Sequence, residues 1–136
     1  MDMTTTQRTT HTPILLERYK KKLVAILNSS LAWNYAKLPN NTFELQFAKY
    51  EEEIDEAIEA ETISYQKMIE ELADVLIAIG GMARFDLSLA VEQLNGFLDC
   101  LDKYIFMDVV DYAEQKIKIL YKRSYSNGYK HDEVLQ

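Results

Sequence analysis

The chain writes one arrangement of acids twice. Glu52-Glu53-Ile54-Asp55-Glu56-Ala57-Ile58 is followed, 18 residues later, by Glu70-Glu71-Leu72-Ala73-Asp74-Val75-Leu76. Each copy reads acid, acid, apolar, any residue, acid, small or apolar, apolar. Helical residues three apart share a face, so Glu53 is expected beside Glu56 and Glu71 beside Asp74, each pair flanking an apolar stripe. If the two stripes pack together, four carboxylates converge along one edge. Like charges that close repel and raise one another's pKa, and cations must neutralise them. Magnesium suits such a set: it prefers six oxygen ligands, keeps several waters and takes phosphate oxygens as company. Manganese, which shares the taste for carboxylate and water, is a possible substitute.

The elements that must carry these acids are helical. With 136 residues, 48% apolar and 27% charged, the composition is that of one globular domain with a real core. No apolar run approaches a membrane span, so no membrane partner is expected. A net charge of −7 argues against duplex nucleic acid, which demands a lysine and arginine surface. A single cysteine, Cys100, and an N-terminus without an apolar signal core lead to the expectation of a cytoplasmic protein.

Residues 1–12, rich in threonine and almost devoid of apolar side chains, are expected to be a flexible segment. The helical domain is expected over 13–125, with residues 126–136 a polar tail after the Asn127-Gly128 turn. Thr12-Pro13 opens the first helix, expected to end at 29, where Asn28-Ser29-Ser30 breaks it. A connection through Leu31 to Asn41 then carries Trp33 and Asn34, candidates to stack a nucleobase and hydrogen-bond its edge. Thr42 caps the second helix and the Glu61 to Ser64 break leads into the third, which forces antiparallel neighbours. Gly80-Gly81 near its end implies close helix contact. A fourth helix is expected from Asp86 through Ile105, with Cys100 a small buried hydrophobe, and a fifth from about Asp108 to Ser124. Lys116 and Arg123, nearly in line on that helix, are candidates for a phosphate chain.

Glu53-Ile54-Asp55-Glu56, followed after 14 residues by Glu71-Leu72-Ala73-Asp74, resembles the ExxE and ExxD motifs of the MazG-like all-α nucleoside triphosphate pyrophosphohydrolases. The likeness extends over about Phe47 to Leu89, since Asp86-Leu87 with Ala90-Val91 is similar to the step into that family's next helix. The resemblance implies an all-α bundle of four to five helices, completed by oligomerisation into a homodimer or a dimer of dimers. It implies magnesium-dependent cleavage of a nucleoside triphosphate between its α and β phosphates, giving a monophosphate and pyrophosphate. Glu53, Glu56, Glu71 and Asp74 would then be the metal ligands, and Glu53 or the adjacent Glu52 or Glu70 would orient the attacking water. A ferritin-like di-iron site would need Glu-x-x-His pairs, and His11 and His131 lie in the tails. The alternative reading is a helical interaction module whose acids are solvated faces.

Overall fold

The computed structural model describes the backbone of residues 3–122, 124–126 and 129–131 and the side chains of residues 16–122. Five helices follow in order: α1 (Met3–Lys37), α2 (Phe43–Ala60), α3 (Tyr65–Met82), α4 (Leu87–Asp99) and α5 (Lys103–Leu120). Two short strands, β1 (Ser124–Ser126) and β2 (Tyr129–His131), then pair antiparallel with Ser124 opposite His131. No helix of the described residues is long and apolar enough to cross a membrane.

Side-chain caps set the starts of four helices. Thr42 Oγ1 accepts from the Leu45 amide at 3.2 Å, Ser64 Oγ from Lys67 at 3.0 Å and Asp86 from Leu89 at 3.0 Å. Asp102 accepts from the amides of both Tyr104 and Ile105, and this cap divides what the apolar pattern suggests is one helix from Asp86 to Ile105. The division at residues 100–102 is therefore earlier than expected. It leaves Cys100 exposed at the end of α4 rather than buried.

α3 is the axis of the bundle and packs against each of the other four helices. One side meets α1 and α5 through Ile69, Ala73, Leu76 and Ile77, and the other meets α2 and α4 through Val75, Ala78, Ile79 and Met82. The four-residue link before it makes α2 and α3 antiparallel, as expected: Gln46 bonds the Ala78 carbonyl at 2.9 Å, while Glu53 and Glu71, each seven residues nearer the turn, lie side by side.

Two expectations about α1 fail for one reason. The helix does not break at Asn28-Ser30 but runs on to Lys37, so Trp33 and Asn34 are helical and buried rather than on a connection. Ser30 Oγ donates to the Ile26 carbonyl at 2.8 Å, which removes the serine's competition with the helix and leaves a small residue at a crossing. Opposite lies the Gly80-Gly81 pair: a Cβ on Gly80 would lie 2.6 Å from Ser30 Cβ, and one on Gly81 would lie 2.5 Å from Asn34 Nδ2. The glycines thus permit the close approach that their position implied. Beside them Asn34 Nδ2 donates to Gln46 Oε1 at 2.9 Å, and Arg84 Nη1 donates to Asn34 Oδ1 and to the Asn34 and Leu38 carbonyls. A guanidinium so placed adds a second donor to the Asn34 and Leu38 carbonyls at the end of α1, which also accept from the Leu38 and Asn41 amides.

Candidate metal centre

The buried face of α2 is not its most apolar one. Gln46, Tyr50, Glu53, Ala57 and Ala60 point inward at spacings of four, three, four and three, while Ile58, on the neighbouring face, is 62% exposed. Glu53 is consequently only 6% exposed and Glu71, across the antiparallel pair on α3, 8%. Charged groups are held this deep only with partners.

The partners found are lysines, each taking one oxygen. Lys49 Nζ lies 3.0 Å from Glu53 Oε1, Lys67 Nζ 3.0 Å from Glu71 Oε1, and Lys116 Nζ 3.3 Å from Asp74 Oδ1. The other oxygens of the two buried glutamates, Oε2 of Glu53 and Oε2 of Glu71, are buried without any hydrogen-bond partner. Glu53, Glu71 and Asp74 each direct an oxygen into one region, these atoms lying within 4.8 Å of one another. Two orphaned acceptors beside a third carboxylate have the chemistry of a hard divalent cation's donor set, and an unmade bond at a buried acceptor costs about 1–3 kcal/mol. The residues present therefore fit a hard divalent cation.

Glu56 stands at the solvent edge of this cluster. Partial desolvation, then the charge of Glu53 and the neighbouring Glu71 carboxylate, raise its carboxyl to about 7. Burial also raises Asp74, against the opposing pull of Lys116, with Glu53 and Glu71 adding to the rise. The Glu71 carboxylate holds the Lys67 ammonium above its ordinary value. The four acids expected as ligands are thus brought together, three in one group and Glu56 close enough to be repelled by its charge.

Glu70 is half-buried and accepts from Gln66 Nε2 at 3.3 Å; Glu52 is exposed. Neither belongs to the close group of carboxylates. Lys116 reaches the cluster from α5, while Arg123 lies outside the described residues. Trp33 and Asn34 are engaged in the interior: the indole Nε1 donates to the Leu120 carbonyl at 3.2 Å, and Asn34 is the hub of the amide network with Gln46 and Arg84. Their use as surface groups for a base is corrected by the continuity of α1.

Lys49 and Lys67 were missed as site residues, although the repeat contains them: each lies four residues before its glutamate and 18 residues from the other. Reading the duplicated segment as Lys-x-x-Glu/acid-Glu rather than from its first acid would have found both. No family model matches this chain, and neither a curated protein nor a solved structure is detectably similar to it.

Proposed function

We propose that the protein is a magnesium-dependent nucleoside triphosphate pyrophosphohydrolase of the MazG-like type, cleaving between the α and β phosphates. The observation that supports this most is the pair of orphaned buried oxygens on Glu53 and Glu71, two residues that with Asp74 bring one carboxylate oxygen each within 4.8 Å of one another. Glu53, Glu71 and Asp74, with Glu56 at the mouth, are the proposed ligands. A bound magnesium would supply Lewis-acid polarisation of the phosphates and screen their charge.

The chain's own groups would do the rest. Lys116, and the exposed heads of Lys49 and Lys67, are drawn to the phosphate oxygens once the carboxylates they now cover are shared with a cation. Glu70, half-buried beside Asp74 on α3, is better placed than solvent-facing Glu52 to orient the water and take its proton as the new phosphorus–oxygen bond forms and the bridging one breaks. A second copy of the chain is part of the proposal, since Ile58, Ile63, Leu87 and Val91 expose apolar surface that a homodimer or dimer of dimers would cover.

The three lysine ion pairs favour a second reading, in which the acids are neutralised internally and the bundle is an interaction module. It leaves the two orphaned oxygens unexplained. A panel of common NTPs and dNTPs with magnesium and pyrophosphate detection separates the two. Turnover should be found with at least one nucleotide and be abolished by Glu56→Gln and by Asp74→Asn without loss of helicity. Full activity in either variant overturns the ligand assignment, and no turnover on any nucleotide overturns the proposed reaction.

A further inference from the structure

A groove of about 350 Å³ runs between α3 and α5, lined by Tyr65, Gln66, Ile69, Asp108, Tyr112 and Gln115, with Asp111 at its rim. Its volume is at the lower end of small-ligand sites, about 300–1,000 Å³. The two helices run in the same direction, since Tyr65 donates to Asp108 at one end while Asp74 meets Lys116 eight or nine residues further along both. The groove consequently lies on the same α3–α5 seam as the Asp74–Lys116 ion pair. On α3 the row Gln66, Glu70, Asp74 is stepped by fours, with Gln66 bonded to Glu70; on α5 the matching row is Asp108, Tyr112, Lys116. From Gln66 to Asp74 is about 12 Å along the helix at 1.5 Å per residue, a span suited to a nucleoside and its first phosphates.

We infer that this groove seats the base and sugar of the nucleotide, with Tyr65 and Tyr112 supplying ring surface and Gln66 and Gln115 amide donors and acceptors for the base edge. The inference rests on the nucleotide reading above and supplies what buried Trp33 and Asn34 cannot. The groove's charge orients the ligand. Asp108 at the far end, which accepts from Tyr65, repels phosphate, whereas Lys116 at the near end attracts it; Asp111 is held by Tyr19 and Lys22 of α1 and takes no part. An aromatic heterocycle is favoured over an acidic or aliphatic group because one wall is a tyrosine half-buried against the core and the opposite lip is a tyrosine fixed by its bond to Asp108.

The test compares equilibrium binding, in magnesium, of the α,β-methylene analogues of the four common ribonucleoside triphosphates with that of inorganic tripolyphosphate, which has no base. At least one analogue should bind wild type tenfold or more tighter than tripolyphosphate. Tyr65→Leu and Tyr112→Leu should each erode that advantage at least fivefold and leave tripolyphosphate affinity unchanged, whereas Tyr65→Phe, which keeps its ring, should retain the advantage. Tyr65 is half exposed, so its variants test the inference even where Tyr112→Leu destabilises the fold. Equal binding of analogues and tripolyphosphate, or an advantage that survives both leucine variants, overturns it. If the analogues bind as expected but no natural nucleotide releases pyrophosphate, the hydrolase reading fails and the groove stands; pyrophosphate release with an unaltered binding ratio has the opposite meaning.

Discussion

Glu53→Gln should make the metal-free protein more stable and the magnesium-loaded protein less so. Glu53 places one oxygen against Lys49 and buries the other, without a partner, beside Glu71. The glutamine keeps the shape, removes one of the converging charges and gives the orphaned Glu71 oxygen a donor, a gain of about 1–3 kcal/mol. Against this stands the loss of the pair with Lys49, whose head is more than half exposed, which costs about 0.2–1 kcal/mol. The net, about 0–3 kcal/mol and centred near 1, corresponds at about 1 kcal/mol to a melting temperature some 3–5 °C higher in EDTA for a chain of this size. Magnesium at about 100 times its Kd should stabilise the wild type by about 2.7 kcal/mol and the variant by much less, reversing the order. Thermal melts of both proteins in EDTA and in 10 mM magnesium measure all four numbers. A variant that melts lower in EDTA, together with a wild type that ignores magnesium, would refute the reasoning and leave the acids as solvated or lysine-neutralised faces.

Metal-free stability should fall as pH rises from about 4.5 to 7: Glu56, raised in the fold to about 7, keeps a proton there that the unfolded chain has lost, so the native state binds more protons and the slope is negative. Because Glu56 is exposed, solvent screening reduces the drop to about 1 kcal/mol, to be read from melts at pH 5 to 8 in EDTA and to vanish in Glu56→Gln. Trp33→Ala should cost about 3–5 kcal/mol in denaturant titrations, as expected of an indole packed in the core and bonded to the Leu120 carbonyl, with KM for nucleotide unchanged in the protein that stays folded. A raised KM at wild-type stability would return Trp33 to the site. Sedimentation at micromolar concentration should show at least a dimer, and a sole 15.8 kDa species would contradict the proposed assembly.

Local rules carried the reading of this chain a long way. The caps at Thr42, Ser64 and Asp86, the short link between α2 and α3 and the duplicated acids are each written within a few residues, and the antiparallel pairing that unites Glu53, Glu71 and Asp74 follows from them. Period and capping also lead to an all-helical bundle. What they could not settle was the meaning of polar residues in helices. Ser30 and Asn34 look out of place in a helix by composition, yet they are buried because Gly80 and Gly81 bring α3 close, because Ser30 bonds back to the Ile26 carbonyl, and because Arg84 and Gln46 arrive from 50 and 12 residues away to satisfy Asn34. The side chain at Cys100 is exposed because Asp102 starts a new helix, a competition between cap and apolar stripe that periodicity does not weigh.

The same division holds at the candidate site. Four acids at helical spacing were determined by the sequence alone, since i and i+3 share a face in any α-helix. That two of their oxygens are buried without partners, that three lysines each take one oxygen of Glu53, Glu71 and Asp74, and that a tyrosine and glutamine groove opens between α3 and α5 were decided only by the tertiary structure. Those facts depend on the direction in which α3 and α5 pack and on which face of α2 turns inward, and both are settled by the balance of burial over the whole bundle.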